Sequence, residues 1–279
     1  MSTENALLTI LVDHIKRDTL VLPTLPEVAL RVRACADEPD ITLHAMAGVI
    51  ATDPALAARM IKVANSALIS RSVKVTTINQ AVTRIGLRQI KNIATAMVME
   101  QLFVSQDPVI NGYMNKAWQK TIKVACHAMV LVQQFREQQH HASINTETIT
   151  LAALTYNIGI LPILTEAEKH PEMFANPSFL AHAIQKLAGR IGAAILTAWD
   201  FSEEFVEVAR LWSAPNYRPD DIEYVDFVRL GAILEGILQV SDKTAALQVY
   251  VDKGIIPSVS LFAEDEYQEL VKDTYEVFL

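Results

Sequence analysis

The sequence predicts an all-α fold. Only nine of the 279 residues are glycine and 51% are hydrophobic, with Ala and Leu abundant, a composition that favours helices over a turn-rich β fold. Helix-capping patterns recur along the chain, and the only candidate strand is the short segment SVKVTTI at residues 72–78. The length suits one large domain or two small ones.

The first helices are predicted from their caps. Near the N-terminus, one helix face carries Leu7, Leu8, Leu11, Val12 and Ile15. Asp53 is a good N-cap, and Pro54 suits the first helical position. Thr77 and Gln80 form a capping-box pattern. Gly86 is a plausible C-cap, after which an apolar stripe starting at Leu87 predicts another helix.

The segment SQDPVING contains Pro108 and Gly112, which predict a break between helices. We expect a seam at residues 106–112, with an N-terminal helical subdomain at 1–106 and a helical bundle at 107–279 within a single domain. A long helix should start near Tyr113. The later predicted helices are 147–157, 182–198, 202–212, 222–243 and 264–278.

The charges of the chain are unevenly distributed. No acidic residue lies between Asp53 and Glu100, whereas that segment has seven Lys and Arg residues. Because the whole chain carries −8, this segment carries +7 and the remainder −15. The segment is either a solvated face or a binding surface. If the segment is a binding surface, Arg84, Arg88 and Lys91 would dock an acidic partner protein. Self-association of the chain through the same residues is the alternative.

Composition and motifs exclude several functions. The net charge of −8 argues against general affinity for nucleic acid or an anionic membrane. The N-terminus does not resemble a secretory signal, and we expect a soluble cytoplasmic protein. There is no Walker loop, GxSxG or HExxH motif. The seven histidines are scattered, so the sequence offers no cluster of metal ligands.

Three motifs resemble one known family. LPTLPEVALRV, DPALAARMIKVANSA and INQAVTRIGLRQIKNI occur in that order, and together they resemble the HDOD domain, the HD-related output domain of bacterial signalling proteins. The resemblance continues through AWQKT, LTYNIGILPIL, GAAILTAWDF and LQVSDKTAAL, and so covers nearly the whole chain. It implies an HD-like helical bundle preceded by an N-terminal helical subdomain.

The resemblance also indicates where a catalytic HD protein would bind metal. Its His, His-Asp, His and Asp ligands match Lys120, Tyr156, Asn157, Ala188 and Asp242 of this chain. A phenol with a pKa of about 10, an amide and an ammonium group are poor ligands for a divalent metal. The match therefore implies no metal, no cofactor and no catalytic residue at this vestigial site.

Two interpretations of the vestigial site remain. In the first, Tyr156 and Asn157 tie helices together by hydrogen bonds, and Lys120 pairs with Asp242. In the second, Lys120 attracts a small anion, with Arg190 adding a second charge.

Three candidate functions remain for the protein: a non-catalytic signalling module with a protein partner, an HD-type metal-dependent phosphohydrolase with unusual ligands, and an anion- or nucleotide-binding regulator. The first is the leading hypothesis.

Overall fold

The computed structural model describes residues 4–17, 19–66, 69, 73–139, 143–170, 177–215, 217 and 221–278. This part of the chain has fourteen α-helices, two 3₁₀ turns and no β-strand, so the predicted all-α class is confirmed. The helices are α1 Glu4–Lys16, α2 Glu27–Ala36, α3 Leu43–Ala51, α4 Pro54–Ala64, α5 Ile78–Ile85, α6 Leu87–Met97, α7 Pro108–Gln138, α8 Thr146–Thr155, α9 Ile160–Glu168, α10 Pro177–Ala198, α11 Glu203–Leu211, α12 Tyr224–Leu234, α13 Lys243–Asp252 and α14 Asp265–Glu276.

The predicted caps are present. Asp53 Oδ1 accepts a hydrogen bond of 3.0 Å from the Leu56 amide, with Pro54 at the first position of α4. Thr77 and Gln80 form both bonds of a capping box at the start of α5. Gly86 ends α5 with φ +86°, a left-handed conformation that favours glycine. Local sequence therefore fixes the ends of these helices.

The predicted break between helices is present at residues 103–107, but it does not extend to Pro108 and Gly112. Pro108 opens α7, because Asp107 Oδ1 accepts hydrogen bonds from the Val109 and Ile110 amides and proline suits the first helical turn. Gly112 therefore lies inside the helix.

Two other segments differ from the sequence prediction. The helix predicted over 222–243 ends at Leu234, and the chain turns at Gly236 with φ +66° before α13 begins. The described residues of the strand candidate, 73–78, form no strand; residue 72 lies outside them. There the Asn65 side chain bonds to the Val75 amide at 2.9 Å and to its carbonyl at 2.8 Å, as a neighbouring strand would.

The N-terminal and C-terminal helices share one continuous apolar core, with buried residues from Leu11 to Val277. α7 runs through the C-terminal part and packs against α8, α12 and α14, while α6 packs against α8 from the N-terminal part. The centroids of the Phe103 and Trp118 rings are 5.1 Å apart, so the residue that precedes α7 packs against a residue within it. Within the described residues, one segment, Thr146–Glu168, has the length and apolarity of a membrane span, but 89% of its apolar 18-residue stretch is buried inside the protein. It comprises α8 and α9, which are core helices.

Candidate functional site

The vestigial site centres on the turn between α8 and α9. Asn145 caps α8 through a bond of 2.8 Å from the Thr148 amide, and every residue of α8 from Thr148 to Thr155 is buried. At Gly159 in the turn, a Cβ atom would overlap the Ala188 carbonyl oxygen and lie 2.5 Å from the Gly192 nitrogen. The backbone of α10 therefore lies directly against the turn, and Ala188, which is fully buried, belongs to this contact.

Tyr156 begins the turn and is completely buried. Its ring packs edge-to-face on Trp212, with centroids 4.9 Å apart and planes at 85°. The hydroxyl oxygen has no hydrogen-bond partner among the described residues. Burial, together with the negative charge of Glu235, raises the pKa of the phenol above its ordinary value of 10. Tyr156 therefore remains a neutral phenol and contributes no anionic ligand.

Asn157 is 8% exposed, and its Oδ1 lies 3.0 Å from Thr121 Oγ1 on α7. The same hydroxyl lies 2.8 Å from the Ala117 carbonyl. One hydroxyl hydrogen cannot serve both acceptors fully. A rotated amide would let Asn157 donate to Thr121 while Thr121 donates to Ala117. Asn157 thus links the turn to α7, whereas the partner expected for Tyr156 is absent from the described part of the chain.

Lys120 and Asp242 do not approach the turn in the way the sequence suggested. Lys120 is exposed on α7. Asp242 is an exposed N-cap, and its Oδ1 accepts a hydrogen bond of 3.0 Å from the Ala245 amide at the start of α13. α13 packs on α12 and on the 3₁₀ turn Val259–Ala263. Within the described chain no ion pair joins Lys120 to Asp242, so that expected pair is wrong: each side chain lies in solvent.

The residues at the vestigial site do not fit a divalent metal. Asn157 offers a neutral amide, Tyr156 a protonated and occluded phenol, and Asp242 a carboxylate already used as a cap. Among the described residues no group of three or more His, Cys, Asp or Glu side chains has a geometry that could hold a metal ion. Metal activation of water requires several such ligands converging on one point. This donor set does not supply them.

Two of the three cations of the expected partner-binding face are engaged within the protein. Arg84 donates to the Ala64 carbonyl at 3.1 Å, to Asn65 Oδ1 at 3.3 Å and also to the Val73 carbonyl. Lys91 Nζ lies 2.5 Å from Asp37 Oδ1. Arg88 lies in α6, but its side chain is outside the described part of the structure. Arg84 therefore braces the end of α4, and the charge of Lys91 is balanced within the protein.

Sequence reasoning missed a buried polar network at the C-terminal helix. His127 Nδ1 lies 2.8 Å from the Tyr267 hydroxyl on α14, and its Nε2 lies 3.2 Å from Glu235 Oε1. The hydrogen bond to His127 lowers the pKa of Glu235, and burial raises that of Tyr267. His127 lies in the middle of α7, far from both partners in the sequence. No local pattern could reveal a partner 140 residues away.

Arg229 is a second buried group that the sequence did not reveal. Its Nη1 donates to three carbonyls at the end of α11, those of Leu211 at 3.0 Å and of Trp212 and Ala214 at 2.9 Å. A cation near a helix C-terminus complements the helix dipole. Arg229 therefore fixes the segment that carries Trp212, the ring against which Tyr156 packs.

The fold is that of an all-α protein of HD-like architecture. The family model of the HDOD domain matches residues 22–215. The chain belongs to the HDOD-domain family.

Solved structures agree with this assignment. A crystal structure named "Putative metal-dependent phosphohydrolase" from Shewanella amazonensis SB2B is 42% identical, with a TM-score of 0.96 and full coverage of both chains. An HDOD domain protein with unknown function from Geobacter sulfurreducens is 18% identical, with a TM-score of 0.66 and full coverage of both chains. That second likeness shows the fold alone.

A curated relative from Treponema pallidum (strain Nichols), named "Uncharacterized protein", is 23% identical over 215 residues. The match covers 72% of this chain but only 39% of that protein. This relative therefore has a large part with no counterpart in the present chain.

Proposed function

We propose that this protein is a non-catalytic HDOD module that acts in signal transduction by binding another protein in the cytoplasm. The observation that carries the proposal is the donor set of the vestigial site. Tyr156 is a buried phenol against Trp212, Asn157 is bonded to Thr121, and the Asp242 carboxylate caps α13. These side chains stabilise helix contacts and leave no converging ligands for metal chemistry.

The rival function is metal-dependent phosphohydrolysis, the activity in the name of the Shewanella protein. It is tested by assaying p-nitrophenyl phosphate and its bis ester with Mg²⁺, Mn²⁺ or Fe²⁺, alongside elemental analysis of the dialysed protein. We expect no turnover above buffer and no stoichiometric transition metal. Metal-dependent turnover that disappears in Asp242→Asn would contradict the proposal.

Asp242→Asn is the informative variant because asparagine is as good an N-cap as aspartate, so α13 keeps its cap while the carboxylate is lost. Asp252→Asn is the matched control, since Asp252 is an exposed carboxylate at the other end of the same helix. Turnover retained in both variants would come from a contaminant, and turnover lost equally in both would come from a general effect of charge.

The protein-binding part of the proposal concerns the acid-free segment. Arg59 pairs with Glu100, and Arg84 and Lys91 are engaged within the protein. Lys62 and Lys74 are exposed and have no partner among the described residues. They are therefore the cations of this segment that we assign to an acidic surface of the partner protein.

Cross-linked capture from native cytosol, with light scattering of the purified protein, tests this assignment. We expect Lys62→Glu with Lys74→Glu to abolish a captured complex, and Lys116→Glu with Lys120→Glu on α7 to retain it. The two pairs change the charge equally at exposed lysines. A complex that survives in the first pair would rule out this surface. A concentration-dependent dimer lost in the first pair would identify a second copy of the chain as the partner.

A further inference from the structure

An open groove of about 620 Å³ lies between α10 and the end of α11. Its lining residues are His182, Gln185, Lys186, Gly189, Arg190, Ala193, Arg210, Ser213, Ala214 and Pro215. Three of the ten are permanent cations and none is acidic. The groove is therefore positively charged, although the protein as a whole has a formal net charge of −8.

The close packing of two helices positions these cations. A Cβ atom at Gly189 would lie 2.7 Å from the Arg210 carbonyl oxygen, so the backbone of α11 approaches α10 at this point. Arg210 consequently emerges beside Lys186 and Arg190, which are four residues apart on α10 and therefore neighbours on its surface. The charges come from two helices that are fixed against each other.

The cations of α10 lack counter-charges. Arg210 pairs with Glu203 at 3.2 Å, but Lys186 and Arg190 are exposed and form no hydrogen bond or ion pair with any residue that the structure describes. Like charges at this spacing on a helix repel each other. An anion bound between them would relieve that repulsion and gain charge-assisted hydrogen bonds.

The groove differs from the anion pocket that was the second interpretation of the sequence. That pocket combined Arg190 with Lys120, but Lys120 lies on α7 and does not line the groove. The cations around Arg190 are instead Lys186 and Arg210. His182, Gln185 and Ser213 add further hydrogen-bonding groups.

We propose that this groove binds a small phosphate-bearing anion, with Lys186, Arg190 and Arg210 balancing its charge. A small phosphate ligand fits better than nucleic acid for two reasons. No Phe, Tyr or Trp ring is among the described residues that line the groove, so it lacks the large rings that stack bases. The acidic remainder of the protein also repels a long polyanion. The site lies outside the vestigial metal-ligand positions and does not depend on the proposed protein partner.

Inorganic pyrophosphate is the probe, and its binding is measured by calorimetry at low and physiological salt. We expect saturable binding to the wild type that Lys186→Gln with Arg190→Gln weakens by about tenfold or more, the usual effect of losing charge-assisted bonds. Lys116→Gln with Lys120→Gln is the matched control. It also removes two exposed cations four residues apart on one helix, and we expect less than about a twofold change.

Three results would overturn the proposal: no saturable binding to the wild type, equal weakening in both double variants, or tighter binding of a single-stranded oligonucleotide through the same residues. Equal weakening would mean diffuse attraction to any cationic surface. Circular-dichroism melts of both double variants verify that folding is retained. Arg210→Gln gives a second measurement from the other helix, and we expect it to weaken binding in the same direction.

Discussion

Tyr156 and Asn157 are adjacent in the chain, yet their polar groups have different surroundings. Asn157 reaches a hydroxyl on α7, whereas the Tyr156 hydroxyl is enclosed without a partner among the described residues. A buried polar group is costly when unpaired and close to neutral when paired. Substitution of these two neighbours should therefore change stability in opposite directions.

Tyr156→Phe should raise the free energy of unfolding by about 1 kcal/mol. The variant removes an unpaired hydroxyl and keeps the ring that packs on Trp212. Tyr267→Phe is the control, because its hydroxyl is bonded to His127 at 2.8 Å, and it should lower stability by about the same amount. Urea titration measures both. A loss in Tyr156→Phe as large as the loss in Tyr267→Phe would mean that a buried water satisfies Tyr156.

Asn157→Leu should cost about 1 kcal/mol, the low end of the range for a broken buried hydrogen bond. The cost is small because Thr121 keeps its bond of 2.8 Å to the Ala117 carbonyl. A double-mutant cycle with Thr121→Val isolates the contact, and we expect a coupling energy of about 0.5–1 kcal/mol. Strict additivity would show that the two side chains do not interact in solution.

At the level of single residues, the sequence predicts which residues match the vestigial site better than it predicts where their side chains lie in the fold. Motif matching placed Tyr156 and Asn157 together in a buried segment. It could not place Asp242, because the chain turns at Gly236 and starts a new helix that Asp242 caps. The exposure of Lys120 could have been predicted from helical spacing. Trp118 and Thr121 lie on the buried face of α7, and Lys120 is not on that face.

At the level of elements, the contact between the α8–α9 turn and α10 depends on glycine. Gly159→Ala should lower the free energy of unfolding by about 3 kcal/mol, because the added methyl group would overlap backbone atoms that cannot rotate away. Gly112→Ala is the control: it lies inside α7, and its Cβ atom would meet no atom within 4 Å. That variant should raise stability by about 0.5–1 kcal/mol.

Thermal and urea melts of the two glycine variants test this pair. A cost below about 1 kcal/mol for Gly159→Ala would mean that α10 shifts away easily, and the tight turn would then not be what holds Ala188 in place. The sequence could not distinguish these glycines. From the sequence Gly112 predicts a break, yet it lies inside α7, and only the close approach of α10 makes a side chain at Gly159 costly.

At the level of the whole molecule, contacts distant in sequence join the N-terminal helices to the C-terminal bundle. Arg33 on α2 donates to the Asp200 carbonyl at 3.0 Å and lies over the Phe201 ring at 4.2 Å. Trp199 Nε1 donates to the Pro23 carbonyl at 3.0 Å. The apolar core is also continuous across both parts. The predicted subdivision at residues 106–112 therefore need not correspond to separate folding units.

We expect the two parts to unfold together. Trp118, Trp199 and Trp212 all lie in the C-terminal part, so tryptophan fluorescence monitors its unfolding. Cys35 is buried in α2, so its labelling, in a Cys126→Ala background used for both probes, monitors the N-terminal part. The two urea midpoints should coincide, because a shared core makes partial unfolding expose apolar surface on both sides.

Arg33→Ala strengthens this test. Loss of the Asp200 and Phe201 contacts should lower both midpoints together, corresponding to a loss of about 1–2 kcal/mol in the free energy of unfolding. Arg31→Ala, at an exposed position of the same helix, should change that free energy by less than about 0.5 kcal/mol. If Cys35 became reactive at lower urea than the tryptophan transition, the N-terminal helices would be a separate unit that opens first. Coincident shifts would instead mean that any ligand or partner bound to one part stabilises the other through the common core.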